Sequence, residues 1–349
     1  MNLRRGGFGT CPHSAFLLSP LAVILTVVLF VACRNSESPP KSMSTQKTVK
    51  LGFPGTNNVF QGLLGVAQNK GFIEEELKKI GYNIEFVSFS GMGPAVNEAL
   101  ASSKIDLAIY ADFPGIIAKS RGVNIDLLGI PENKVHASVV VKMNSPIASI
   151  KELKGKKVGF TKGTFVQKFF LRLLTDNGLT GKDVELIDLN SDLQAALVAG
   201  NVDALVLIQS QALQLTMVQK VGKEIENSVR YFSQSSQFVF VGAHRFVKDN
   251  QEVAVAINKG LLRSKNFFRE NPEFCYQAIT RSGMELEVVK EIFHKEAPDF
   301  SLFTIGITDD SIKRLDETQK FMVEHGLIEK KFDSSKWADN SSYEKALNP

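Results

Sequence analysis

Residues 157–174, KVGFTKGTFVQKFFLRLL, combine the residue types and spacing needed to hold an oxyanion. A short apolar run ends in Thr161-Lys162-Gly163-Thr164, and then Phe165, Phe169, Leu171, Leu173 and Leu174 recur at spacings that suit an amphipathic helix. The pattern predicts strand, turn and helix, with Thr164 at the N-cap and Gly163 folding the backbone tightly before it. The first N–H groups of such a helix lack intrahelical acceptors and sit at the positive end of its dipole, so they favour an anion. Most strand-turn-helix units bind nothing; this one gains weight because the chain repeats it. Lys50 opens KLGFPGT as Lys157 opens KVGFTKGT. Residues 97–110 (NEALASSKIDLAIY) are likewise answered by residues 194–207 (QAALVAGNVDALVL), with Ile105-Asp106 against Val202-Asp203.

Other chemistries find little support. The sequence contains no H-E-x-x-H, G-x-S-x-G or P-loop pattern. Gly91-x-Gly93 follows a predicted strand, but Val96 stands where a dinucleotide fingerprint needs its third glycine. The net charge of +4 over 349 residues falls to +2 once Arg4 and Arg5 are set aside, and no long basic run marks a nucleic-acid surface. The three cysteines, Cys11, Cys33 and Cys275, offer no disulfide framework, and neither a metal nor a cofactor is expected.

The elements that must position these groups form two similar βαβαβ runs, which predict two α/β lobes, each with a mainly parallel sheet flanked by helices. In the first, strand 49–53 leads to the loop 54–58 and a helix through Gln68; strand 84–89 leads to Ser90-Gly91-Met92-Gly93-Pro94; strand 107–110 ends at Tyr110. Such strand-end loops are where open α/β sheets bind ligands. In the second, strands 157–160, 185–189 and 204–208 play the same parts, the last ending in Gln209-Ser210-Gln211. Runs at 136–143 and 238–241 would form a hinge of two crossings if they pair. Helices are expected at 251–269, 272–280, 286–296 and 310–325, packing back on the first lobe, with Cys275 buried.

Ahead of this body, Arg4 and Arg5 precede an apolar run at 15–32 that ends in Phe30-Val31-Ala32-Cys33. That ending resembles the bacterial lipoprotein signal, which implies cleavage before Cys33 and its lipidation. Residues 33–48 are rich in Ser, Pro and Lys and read as a flexible tether spanning on the order of 20 Å. The expected organisation is a signal peptide at 1–32, the tether at 33–48, the first lobe at 49–137, the second at 138–237, and a return to the first at 238–349.

With Ser145-Pro146, the run 150–158 (IKELKGKKV), Lys162-Gly163-Thr164, Ala195-Ala196-Leu197, the run 200–204 (GNVDA) and the run 324–328 (EHGLI), the chain resembles the periplasmic solute-binding proteins of ABC importers. Within them it is similar to the group of sulfonate, taurine, nitrate and thiamine-precursor binders. The resemblance implies a type II two-lobed fold with a two-strand hinge, a solute held between the lobes, a monomer in the cell envelope and an ABC permease in the inner membrane as partner. It places ligand contacts at Thr56, Asn57, Ser90, Gly91, Tyr110, Asp112, Thr161, Thr164, Phe165 and Gln209. Neutral hydroxyls, amides and backbone N–H groups suit a small anion or zwitterion, with an aliphatic sulfonate foremost. Lys162 either adds charge or points to solvent; Asp112 either selects a ligand amine or caps the next helix. Many members carry an aromatic residue and Pro where this chain has Gln209-Ser210-Gln211, which implies a more polar wall. The alternative is binding of a thiamine pyrimidine precursor, or an enzyme of pyrimidine synthesis. That enzyme would need a reactive Lys or His, and His136, His244, His294 and His325 read as structural.

Overall fold

The computed structural model describes residues 46–189, 192–229, 235–295 and 299–348; the signal, Cys33 and most of the tether lie outside the described residues. The chain first lays down β1 (Lys47–Pro54), α1 (Gly62–Lys70), α2 (Phe72–Lys79), β2 (Tyr82–Phe89), α3 (Met92–Ala101), β3 (Leu107–Ala111), α4 (Asp112–Ser120) and β4 (Ile125–Gly129). It then crosses to β5 (Ala137–Lys142), β6 (Lys157–Phe160), α5 (Phe165–Asp176), β7 (Glu185–Asp188), α6 (Leu193–Ala199), β8 (Ala204–Ile208), α7 (Gln209–Leu213) and β9 (Gly222–Asn227). It returns through β10 (Phe238–Ala243), α8 (His244–Asp249), α9 (Gln251–Glu270), α10 (Pro272–Thr280), α11 (Leu286–Lys290), α12 (Asp309–Glu324), α13 (Ser334–Trp337) and α14 (Ser341–Leu347).

Two five-stranded sheets result, ordered β2-β1-β3-β10-β4 and β7-β6-β8-β5-β9. In each, four strands run parallel and the fourth in order is antiparallel to both neighbours. That antiparallel strand is the first one laid down after each crossing between lobes. Phe238–Val241 therefore does not pair with the run at 136–143. It fills the slot between β3 and β4, because a strand buried on both faces needs a partner on each side. The crossings meet instead one step earlier: the N–H of Val135 donates to the Ser236 carbonyl at 2.8 Å, and the Ser236 N–H returns the bond at 2.9 Å.

The internal repeat has a physical cause. In the first lobe the Lys50 N–H donates to the Asp106 carboxylate at 2.8 Å, and the Asp106 N–H donates to the Lys50 carbonyl at 3.0 Å. The second lobe repeats the clasp, with Lys157 N–H to the Asp203 carboxylate at 2.9 Å and Asp203 N–H to the Lys157 carbonyl at 2.8 Å. Two residues beyond each lysine, Gly52 and Gly159 lie beneath Ile105 and Val202, where an added Cβ would stand 2.4 Å and 3.3 Å from those side chains. Each lobe thus fixes one central strand, β1 or β6, against the turn that precedes its parallel neighbour, β3 or β8.

Several elements differ from their sequence-based outlines. β1 begins at Lys47, inside the expected tether, because its pairing with β2 starts at Lys47 opposite Tyr82. The amphipathic α2, with Ile73 and Leu77 buried, and the strands β4 and β9 were not anticipated. The expected helix at 286–296 is α11 followed by a π-helical turn, Glu291–Lys295. The C-terminal helices do pack on the first lobe, and α9 crosses α2 so closely that a Cβ on Gly260 would stand 2.9 Å from the Ile73 Cα. No helix among the described residues is long and apolar enough to cross a membrane.

Candidate functional site

A cleft of about 1050 Å³ lies between the lobes, walled by the ends of the parallel strands and the helix starts that follow them. Thr56 and Asn57 line it after β1, and Ser90 and Gly91 after β2. Thr161, Thr164 and Phe165 line it between β6 and α5. Three expected contacts stand elsewhere. Tyr110 is fully buried, its hydroxyl without a hydrogen-bond partner among the described residues, and burial raises its pKa. Asp112 lies behind the wall, where its carboxylate accepts from the Ser236 hydroxyl. Gln209 faces a smaller adjoining cavity of about 40 Å³, while its neighbours Ser210 and Gln211 reach the main cleft. The side chain of Lys162 is exposed and is not part of the cleft wall.

The cleft offers donors chiefly through backbone. The helices α3 and α5 begin at Gly91 and Thr164 without a side-chain cap, which leaves first-turn N–H groups for other acceptors, whereas at the start of α1 Glu132 takes the Leu63 N–H and at the start of α7 the His136 carbonyl takes the Gln209 N–H. Thr164 does hold the N-cap position with an extended backbone, but its hydroxyl donates back to the Thr161 carbonyl at 2.7 Å. The Thr161 hydroxyl is committed to the Leu189 carbonyl at 2.8 Å, and Gln167 Oε1 takes the Gly163 N–H at 2.9 Å. Both threonines therefore shape the turn more than they offer protons to a solute. Thr56 and Ser90 keep hydroxyls free of intramolecular hydrogen bonds among the described residues. The starts of α3 and α5 approach each other from opposite lobes: a Cβ on Gly163, where φ is +76°, would lie 3.3 Å from the Pro94 ring. Met92 and Asp192, both on the cleft wall, hold left-handed backbone at φ 57°, a conformation that costs a non-glycine residue energy and recurs at binding sites.

Behind the wall a buried polar cluster ties the lobes together. Lys168 of α5 donates to the Thr318 hydroxyl of α12 at 3.2 Å and to the Ser235 carbonyl at 3.4 Å. Arg314, also on α12, donates to the Ser235 hydroxyl at 3.0 Å and to the Ser236 carbonyl at 3.1 Å. Burial lowers the pKa of both cations, and the nearby charge of Asp112 opposes that shift. Asp112 thus balances charge at the lobe junction, which explains why it is held off the cleft. Next to it on the first crossing, Glu132 is buried with its Oε1 accepting the Leu63 N–H at 3.2 Å, at the start of α1, and burial pushes its pKa up to about 8. His136, beside the small cavity, bonds the Ser228 hydroxyl at 3.1 Å, and burial lowers its pKa to about 4.

Further wall residues escaped the sequence reading. Phe238 reaches the cleft from the start of β10, and Ser282 and Met284 reach it from the return segment after α10. None carries a local signal, since each arrives by topology. Asp192 and Gln194 could have been found by extending the strand-end rule to β7 and α6.

The family model described as NMT1/THI5 like matches residues 57–274, more than half of the chain. A protein of Bacillus subtilis (strain 168), named for binding aliphatic sulfonates, is 26% identical over 333 residues, covering 94% of this chain and 96% of its own. Among solved structures, the one titled as a periplasmic sulfonate-binding protein, SsuA, of a sulfonate ABC transporter from Methylobacillus flagellatus KT superposes with a TM-score of 0.70 at 26% identity, covering 86% of this chain and 94% of that one. The desulfurization enzyme DszB shares the fold, with a TM-score of 0.69 at 17% identity over 86% of this chain and 99% of that one. With its two lobes, matched strand-end loops and family model, the chain belongs to the NMT1/THI5-like family and has the periplasmic-binding-protein fold.

Proposed function

We propose that this protein is the solute-binding component of an ABC importer and captures an organic sulfonate for delivery to a membrane permease. The observation that carries the reading is the meeting of two uncapped helix starts, α3 and α5, from opposite lobes across one cleft. A sulfonate has three oxygens and a full charge, and oriented N–H groups with the Thr56 and Ser90 hydroxyls can surround it without a cation. Hinged lobes suit capture, since closure removes the solute from water.

Binding fits the site better than catalysis. Among the described residues of the cleft wall, Asp192 is the sole ionisable side chain, and His, Cys and Lys, the usual bases and nucleophiles, are absent. His244 instead pairs with Asp126 at 2.9 Å, and His294 meets the Tyr276 hydroxyl at 3.3 Å. The sequence before the described residues supports export and acylation of Cys33, which would tether the body to the outer face of a membrane as a monomer.

Thermal-shift measurements on the full chain with alkanesulfonates, nitrate and an aminopyrimidine test the ligand, because a solute that binds only the folded state raises Tm. A rise with sulfonates alone supports the reading. A rise with the aminopyrimidine alone replaces it with the thiamine-precursor alternative, and turnover of any of these compounds would favour the enzyme. Intact-mass analysis of membrane-extracted protein checks the anchor: an uncleaved N-terminus would refute it.

A further inference from the structure

We propose that Glu132, on the first crossing between the lobes, is a positioning residue for the solute: it holds the first-lobe wall of the cleft, around Phe60, Gln61 and Phe238, in the arrangement that receives an anion. The inference rests on the sulfonate reading above and gives a role in binding to a residue that stands outside the cleft wall.

Three contacts of this one residue carry it. Its side chain reaches the start of α1, where Oε1 accepts the Leu63 N–H at 3.2 Å. Gly62 forms the cradle: its φ is +64°, and an added Cβ would stand 1.7 Å from Oε1, so the carboxyl and the helix start fit together only with glycine there. The Glu132 carbonyl accepts the Phe238 N–H at 2.8 Å, which fixes the start of β10. Phe60, two positions before Gly62, and Phe238 both line the cleft, and their rings meet at 5.2 Å. The side chain and main chain of Glu132 thus grip the two segments whose rings build the wall. The crossing is itself anchored on both sides of Glu132, by the Ile130 N–H on the Ile305 carbonyl at 2.8 Å and by the paired Val135 and Ser236. Glu132 therefore ties the wall to the hinge about which the lobes would close.

The same position makes the role sensitive to protonation. Gln61 borders both the main cleft and the small cavity of about 40 Å³ on which Glu132 opens, so a charge on Glu132 would sit close behind a bound anion. Lys134 and His136 border that cavity from the same crossing, and Arg314 of α12 reaches the crossing at the Asn133 carbonyl. The α1 start, the α7 start and the π-helical turn close the cavity with Gln61, Gln209, Ser210, Ile292 and Phe293, none of which titrates. The charged residues of that turn are engaged elsewhere, Glu291 with Lys295 at 2.6 Å and His294 with the Tyr276 hydroxyl. Burial pushes the pKa of Glu132 up to about 8 and lowers that of His136 to about 4. Raising the pH through about 8 therefore places a negative charge on Glu132, which repels an anionic solute and draws the carboxyl toward water, away from its cradle.

Titration calorimetry on the full chain across neutral and alkaline pH tests the assignment, with Glu132→Gln and Glu132→Ala beside the native sequence. The probe is hexanesulfonate, whose own charge is constant over that range. The native affinity should fall by about threefold to tenfold between pH 7 and 9. Glu132→Gln keeps an oxygen for the Leu63 N–H but cannot ionise, so its affinity should not follow pH. Glu132→Ala strands that N–H and should bind about tenfold more weakly than Glu132→Gln at neutral pH. Should the alanine variant fail to fold, the native and glutamine pH profiles decide alone. A flat native profile, a fall that Glu132→Gln copies, or equal affinities in folded Glu132→Gln and Glu132→Ala would overturn the inference and leave the sulfonate reading standing. No binding of hexanesulfonate by the native chain at any pH would overturn the sulfonate reading, and the assignment with it.

Discussion

Replacing Glu132 by Gln should change how stability depends on pH, and the sign follows from the site. The Glu132 carboxyl is buried without a cation partner among the described residues, and its pKa rises from 4.5 to about 8. Between those values the folded protein keeps a proton that the unfolded chain releases, so stability falls as pH rises. Each pH unit in that window corresponds to about 1.4 kcal/mol. His136 works in the opposite sense: its pKa drops from 6.5 to about 4, so between those values unfolding takes up a proton and stability rises with pH. The two effects oppose each other up to pH 6.5, and above it the Glu132 slope acts alone. From pH 6.5 to 8 the native sequence should lose on the order of 2 kcal/mol. Glu132→Gln keeps an oxygen for the Leu63 N–H but cannot ionise, so its stability should stay nearly level over the same interval. Urea unfolding at successive pH values, followed by the fluorescence of the single tryptophan, the buried Trp337, supplies the readout. Equal alkaline slopes in the two proteins would refute the argument that Glu132 folds protonated.

Asp112→Asn should destabilise the protein by about 1–3 kcal/mol in urea, because buried Lys168 and Arg314 lose the largest of the opposing charges near them, while sulfonate binding should not change. Gly163→Ala should cost about 1–3 kcal/mol through the left-handed backbone at φ +76° and should also weaken sulfonate binding by calorimetry, since the new methyl crowds Pro94 at the meeting of the lobes. Gly260→Ala sets helix propensity, a gain of about 1 kcal/mol, against overpacking of the Ile73 backbone at a cost of about 1–3 kcal/mol. The backbone cannot swing aside, so a net loss of Tm is expected.

Much of the architecture was legible because the two lobes repeat one local clasp. Asp106 and Asp203 each recur after an Ala/Leu helix because each must accept a lysine N–H from the neighbouring parallel strand, Lys50 of β1 and Lys157 of β6. The strand-end loops around Thr56, Ser90 and Thr164 could be read for the same reason, as strand-to-helix turns carry their own glycine and polar signals. What stayed hidden depends on distant segments. Whether Asp112 faces the cleft is decided by Ser236, Lys168 and Arg314, which lie 56 to 202 positions further along the chain. Thr164 has the right residue type for a cap, but the nearby Thr161 carbonyl competes for its hydroxyl. Gln209 turns from the main cleft because its N–H is bound to the His136 carbonyl at 2.9 Å, as α7 begins beside the crossing strand.

The placement of β10 between β3 and β4 bears on how the polypeptide reaches its native form. During synthesis or threading from the N-terminus, residues 47–129 emerge early, yet two of their strands have no direct partner in each other until residue 238 follows. The segment from 137 to 227 contains every strand of its own sheet and can finish sooner. Assembly should therefore run from the middle outward, with the earliest-made residues among the last to settle.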